Sequence, residues 1–236
     1  MALNSIGKGA FVEGCIASIP ICVSFAFLFF SVGSLCTTYG YSLAQAASMT
    51  ALIFAAPLQV FIVQNGESLS LPALLMASLL INFRFLIMAS SLSEKFRGVA
   101  LIKLMMSIPM LSASTFTLSS TKNSESGPAL FHYYLGVGSA AIGTAFIATI
   151  AGSLIAGQSN NYLTGVINVI LPAHFAALTA LMWPKLRPIS VTIASFFIAP
   201  LAGHWLGKSS VIVVPFLVAA FFLFCDNSKI RRESNE

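Results

Sequence analysis

Charge is scarce along this chain. Only 8% of its 236 residues are charged, against roughly 25% in an ordinary soluble domain. A soluble fold of this length needs a charged surface that so few charges cannot make. That excludes a soluble enzyme, a nucleic-acid-binding domain and a disordered polar chain, so the net charge of +5 is not a nucleic-acid signal. Metal-ligand spacing is missing as well. Cys15, Cys22, Cys36 and Cys225 form no Cys-x-x-Cys pair, and His132, His174 and His204 lie in separate segments without i, i+4 spacing. The cysteines read as small buried hydrophobes, and neither a metal nor a cofactor is expected. No P-loop occurs, so any transport would be driven by a gradient or by the substrate itself.

Apolar sequence fills the space. Hydrophobic residues make up 57% of the chain and mean hydropathy is +0.90. A membrane span takes about 20 apolar residues, so the length allows about six to eight membrane segments. The candidates are 15–37, 44–63, 71–92, 99–118, 130–156, 163–183, 189–206 and 210–225. The expected class is all-α: a polytopic membrane helical bundle, with residues 1–236 as a single integral membrane transporter domain in the lipid bilayer. An open sheet cannot satisfy its backbone in lipid, and the runs lack the alternation of barrel strands. The first run continues to about Cys36, too long for a signal-peptide core, so it is expected to be retained as a span.

The basic residues collect at segment ends: Lys8, Lys95, Arg97, Lys122, Lys185, Arg187 and the tail Lys229, Arg231 and Arg232. Eight full crossings would put Lys95, Arg97 and Lys103 opposite Lys8 and the tail. If 44–63 and 99–118 are broken or re-entrant, all but Lys208 fall on the cytoplasmic side, as the positive-inside rule favours. Prolines fit broken helices. Pro20, Pro57, Pro109, Pro172, Pro200 and Pro215 all lie inside apolar segments, and each removes a backbone donor and frees a carbonyl a turn earlier. The alternative for each is an ordinary kink.

Three stretches carry candidate chemistry. In Leu79–Leu86, Arg84 is the only charge between Glu67 and Glu94. A central arginine costs at least ~2.5–3.5 kcal/mol to insert, so it is expected to face the bundle interior or an aqueous cavity. It would bind a substrate carboxylate or, alternatively, carbonyls freed by a kink. Asn82 is two residues away, on another helix face. In Phe54–Phe61, Pro57 breaks the ladder after small residues, and Gln59 just beyond could offer its amide to a zwitterion or bond between helices. In Phe11–Pro20, Glu13 precedes the apolar run and reads as a surface acid favoured by the helix dipole, while Ser18 and Pro20 could open the helix. His174 follows Pro172 and is a candidate proton relay or substrate contact, or a hydrogen-bonded structural histidine. The five glycines Gly136, Gly138, Gly143, Gly152 and Gly157 read as a close-packing face.

Taken in order, Phe11–Pro20, Phe54–Phe61 and Asn82-Phe83-Arg84 resemble the AzlC family, the large subunit of bacterial branched-chain amino-acid exporters. Residues 9–95 match best, and Leu171-Pro172-Ala173 with Phe175 extends the likeness. The resemblance implies a permease of the cell inner membrane that exports branched-chain or similar small apolar amino acids, with a small AzlD-type membrane subunit as partner. Two departures stand out. Leu111-Ser112-Ala113-Ser114 and Asn168 are neutral where many relatives carry acids, which are natural sites for a substrate ammonium or a coupling proton. The substrate carboxylate would meet Arg84 or the half-helix start near Pro57. Its ammonium would meet freed carbonyls and the amides of Gln59, Asn82 or Asn168. The alternatives are a non-transporting subunit or sensor on the same fold and, less favoured, an intramembrane enzyme built on Ser139 with His174 or His204. Serine without an elbow motif is ordinary in packed membrane helices, so the expectation is a protein that is not an enzyme.

Overall fold

The computed structural model describes residues 2–122, 127–157, 186–206, 210, 213–215 and 217–222. Among them every regular element is helical. The chain divides into two compact units, 1–171 and 172–236. In the second, a helix at Leu186–Leu206 contains Pro200, and short helical pieces follow at 213–215 and 217–222. The segment 163–183, with Asn168, Pro172 and His174, lies outside the described residues.

In the first unit, α1 (Ala2–Ala17) leads into α2 (Ile19–Thr38) through Ser18. The run expected at 15–37 thus gains a helix before it and a joint at its start. Pro20 sits in the first turn of α2, where its missing N–H costs nothing, and the Ser18 hydroxyl donates to the Cys15 carbonyl at 2.7 Å. The remaining elements are α3 (Leu43–Ile53), α4 (Ala56–Asn65), α5 (Leu71–Ser93), α6 (Leu101–Ser107) with a 3-10 turn at Ile108–Met110, α7 (Ala113–Thr121) and α8 (Gly127–Ala156). Three described helices, α2, α5 and α8, are long and apolar enough to cross a membrane.

The α1–α2 pair packs along α8 with backbones nearly touching. A Cβ on Gly14 would stand 2.2 Å from the Tyr133 carbonyl oxygen, and one on Gly33 would stand 2.0 Å from that of Thr149. Only glycine permits such an approach, as expected of small residues in membrane helix packing. The pairing also fixes direction. Residues 14 and 33 meet 133 and 149, so α1–α2 and α8 run parallel. Between them the chain must return to the end at which α1 began.

It returns through α5. The turn entering α5 lies at the end of α2, where a Cβ on Gly66 would be 3.3 Å from the Tyr41 hydroxyl. Partial burial and the nearby Glu67 charge both raise the Tyr41 phenol above its ordinary pKa. The turn leaving α5 lies at the start of α8. Phe96 packs edge-on to Phe131 with ring centres 5.4 Å apart, Lys95 Nζ donates to the Ser120 carbonyl, and Gly127 sits against the Arg97 backbone. Gly98 takes φ +87° in that turn, a conformation glycine adopts without strain.

These contacts make hairpins of both broken segments. The α3–α4 pair starts just after α2 ends and finishes beside Tyr41. The α6–α7 pair starts beside Pro128, near Gly98, and ends at Lys122, which is ion-paired to Glu13 of α1. Their arms are about 14–16 Å long, half of a ~30 Å hydrocarbon core. The two hairpins enter from opposite ends of the α8 bundle.

Candidate functional site

The first hairpin breaks at Phe54-Ala55. Ser42 opens α3 with a capping box: its hydroxyl accepts from the Gln45 N–H at 3.3 Å, and the Gln45 side-chain oxygen accepts from the Ser42 N–H at 2.8 Å. Phe54 closes α3 in the left-handed region, φ 42°, ψ 39°. That conformation costs a non-glycine residue about 1–2 kcal/mol. The Phe54 ring stacks on Phe29 at 5.6 Å and meets Phe25 edge-on at 5.8 Å, and such contacts are worth about 0.5–1.5 kcal/mol each. The aromatic packing is therefore of the right size to hold the strained break. Pro57 then lies in the first turn of α4, where its lack of N–H is harmless.

Gln59 faces back across the break. Its side-chain oxygen accepts from the Thr50 hydroxyl at 3.2 Å, and its Nε2 donates to the Met49 carbonyl at 3.4 Å. In a straight helix, residues nine apart would be separated by about 13.5 Å, so these bonds require the chain to fold back. The Thr50 hydroxyl also lies 2.9 Å from the Thr149 hydroxyl of α8, which donates to the Ala145 carbonyl at 2.9 Å. Thr50, Gln59 and Thr149 are each 0% exposed. This is a polar cluster sealed inside an apolar bundle, at a strained helix break.

The second hairpin breaks at Leu111-Ser112. Pro109 stands in the 3-10 turn just before it. Ser112 caps α7 through a second box, accepting from the Thr115 N–H at 3.2 Å while Thr115 Oγ1 accepts from the Ser112 N–H at 2.7 Å. The neutral side chains of Ser112 and Thr115 thus close the break by hydrogen bonding. Tyr134 of α8 donates its hydroxyl to the Ser107 carbonyl at 2.8 Å. Clefts of about 240 and 590 Å³ lie along this hairpin, both reaching Ser107. The smaller is lined chiefly by apolar side chains, among them Leu92, Phe96, Leu104 and Leu111, with Ser90 and Ser93 at α5.

The sequence comparison decides the family: the AzlC protein family matches residues 20–158, from α2 through α8. The chain belongs to the AzlC family. Membership points to a membrane protein with a transport-related function. No curated protein and no solved structure matches the chain.

The predicted site residues of this AzlC protein do not all converge. Pro57 and Gln59 share the first break. Asn82 is half-buried on α5, with Oδ1 unpartnered. Arg84 is exposed on α5 rather than in the bundle interior, the first of the two surroundings expected for it, with its guanidinium 5.0 Å from the centre of the Phe85 ring. Among the described residues it has no acidic partner. Asn168 and His174 lie outside the described residues. Ser139 donates back to the Leu135 carbonyl of its own helix, which lends no support to an activated serine. Thr50 and Thr149 went unmarked in the sequence, and Phe54 entered only as the first residue of the Phe54–Phe61 stretch, with no role of its own. A lone threonine in an apolar helix gives no signal, and Thr149 is 99 residues from Thr50.

Proposed function

We propose that this AzlC protein is a secondary transporter exporting branched-chain or similar small apolar amino acids across the cytoplasmic membrane, as a single transporter domain and with a small AzlD-type membrane subunit. The observation that carries the reading is the pair of half-length hairpins entering from opposite ends beside α8. Discontinuous helices recur around midplane binding sites in secondary transporters, and irregular backbone in a membrane is tolerated where it is buried or lines a cavity. The end holding Lys8, Lys95, Arg97 and Lys122 is cytoplasmic by the positive-inside rule, and the end beside Glu67 faces outward.

The 240 Å³ cleft beside the second hairpin is just below the range for drug-sized ligands. Its leucine and phenylalanine walls suit an aliphatic side chain, and serine hydroxyls supply polar partners. Arg84, unpaired on the exposed face of α5, is the group suited to a substrate carboxylate. No catalytic role is assigned to any residue.

One observation favours a second reading, a non-transporting subunit or sensor. The Ser112–Thr115 capping box fills the break with neutral hydroxyls where the family resemblance implies an acid in many relatives, and Leu111–Thr115 offers no titratable group there. Ligand-induced stabilisation of the purified protein separates the substrate classes. Leucine, isoleucine and valine should raise the thermal midpoint saturably, while glutamate and lysine should not. An equal response to all five, or to none, would count against the proposed specificity.

A further inference from the structure

The helix α6 separates the two clefts of the second hairpin. It turns Leu101, Leu104 and Met105 to the smaller one, and Lys103 and Met106 to the larger, of about 590 Å³, whose other wall is α8. Both walls of the larger cleft start at the same end of the bundle, so depth can be read along them. Gly98 and Pro128 stand at its mouth. Lys103 follows two residues into α6 and His132 five residues into α8, about 3 and 7.5 Å in at 1.5 Å per residue. Met106, Met110 and Leu135 line it farther in. The cleft is therefore basic where it opens and apolar toward the bilayer centre. Its volume lies within the range of about 300–1,000 Å³ usual for ligand sites.

No acid answers the basic groups at this mouth. Of the described acids at that end of the bundle, Glu13 is paired with Lys122, and Glu94 closes α5 without lining the cleft. Lys103 has no ion pair among the described residues. The His132 Nδ1 lies 2.7 Å from the Pro128 carbonyl oxygen, which can only accept, so Nδ1 carries a proton. Nε2 is then the ring nitrogen that, when protonated, can donate to an anion. Two further cations stand close by in the chain: Arg97 precedes Gly98, and Lys8 follows Gly7, where a Cβ would be 3.2 Å from the His132 ring. We propose that the cleft binds an anionic phospholipid of the leaflet at this end, the cytoplasmic one in the orientation proposed above. Its phosphate meets Lys103 and His132, and an acyl chain lies along Met106, Met110 and Leu135. Basic pockets between membrane helices on the cytoplasmic side suit such head groups. A free anion would use the cations and leave the apolar wall bare. A choline head group would bring a second positive charge to a mouth that already holds Lys103.

The test uses the purified full chain in detergent micelles, titrated with phosphatidylglycerol, with phosphatidylcholine of the same acyl chains, or with glycerol phosphate. Phosphatidylglycerol should raise the thermal midpoint saturably, by about 3–6 °C at ten times the half-saturating amount, and the other two should not. Lys103→Gln should raise the half-saturating amount about fivefold, the scale of one basic residue lost at an anionic surface. Adding His132→Gln should abolish the preference over phosphatidylcholine. Lys95→Gln removes a cation at the same end that does not line the cleft and should keep the full response. Met106→Trp fills the apolar wall without touching a charge and should weaken the lipid response. An equal response to phosphatidylcholine overturns the head-group assignment, and a response to glycerol phosphate as large as that to the lipid makes the site one for a free anion. A preference that survives Lys103→Gln, or is lost equally in Lys95→Gln, overturns the cleft as its place. If the double variant does not fold, Lys103→Gln and Met106→Trp decide, and an unchanged phosphatidylglycerol titration in both overturns the proposal.

Discussion

Arg84 shows how far one residue can be read. Its position in an otherwise uncharged run is plain in the sequence, and so is the insertion cost that demands a reason for it. The structure adds that the residue is exposed and that, among the described residues, its guanidinium has a single ring contact, with Phe85. A cation–π contact of this kind contributes about 0.5–2 kcal/mol depending on desolvation, too little to make Arg84 a keystone of the fold. Arg84→Gln should therefore leave the melting midpoint equal to or above that of the wild type while abolishing transport. Arg84→Lys keeps the charge but loses the planar fork, and should weaken leucine binding about tenfold or more, the scale of one lost charge-assisted hydrogen bond. Normal affinity in Arg84→Lys would end the carboxylate-clamp assignment, and a collapse of folded protein in Arg84→Gln would make the residue structural. Gln59 was legible because a proline stood two residues before it. Its partners were not. Thr50 and Thr149 look like any packed membrane threonine until the fold sets them 2.9 Å apart. Glu13 is exposed as read, but not for the reason given: it lies toward the C-terminal end of α1 rather than at a helix start, so the helix dipole does not favour it, and its ion pair with Lys122, 109 residues on, is a product of α1 and α7 sharing one end of the bundle.

At the scale of elements, the two hairpins were one of two topologies open in the sequence, the other being eight full crossings: moving Lys95 and Arg97 to the side of Lys8 requires 44–63 and 99–118 to turn back. The structure reaches the same arrangement from independent contacts, Gly66 beside Tyr41 and Arg97 beside Gly127. The sites of the breaks were less legible. The first falls at Phe54-Ala55, ahead of Pro57, because the Phe54 ring is anchored by Phe25 and Phe29. The second falls at Leu111-Ser112, after Pro109, because Ser112 and Thr115 supply the caps. Local proline chemistry marks the neighbourhood of a break, and packing and capping choose the residue. The arrangement predicts accessibility. In a background without native cysteines, single cysteines at Lys8, Lys95 and Lys122 should resist an impermeant thiol reagent applied to intact cells, and cysteines at Tyr41 and Glu67 should react. External labelling at position 95 with position 8 protected would replace the hairpins by full crossings.

For the whole molecule, the low charge content identified a membrane protein, and the all-helical described structure with three span-length apolar helices agrees. The parallel run of α1–α2 with α8 was not legible, because helix direction depends on which glycines meet, and no local pattern pairs Gly33 with Thr149. It is this parallel frame that sends the hairpins in from opposite ends, the arrangement on which the transport reading rests. Substrate class, direction and partner come from the family resemblance and are open to one direct trial. The measurement is counterflow of labelled leucine, without ATP, into proteoliposomes preloaded with unlabelled leucine, made with this protein purified alone and together with the small subunit co-expressed beside it. The account predicts a transient accumulation of label above its equilibrium level that unlabelled isoleucine or valine suppresses. Folded, correctly inserted protein that gives no overshoot in either preparation would contradict it.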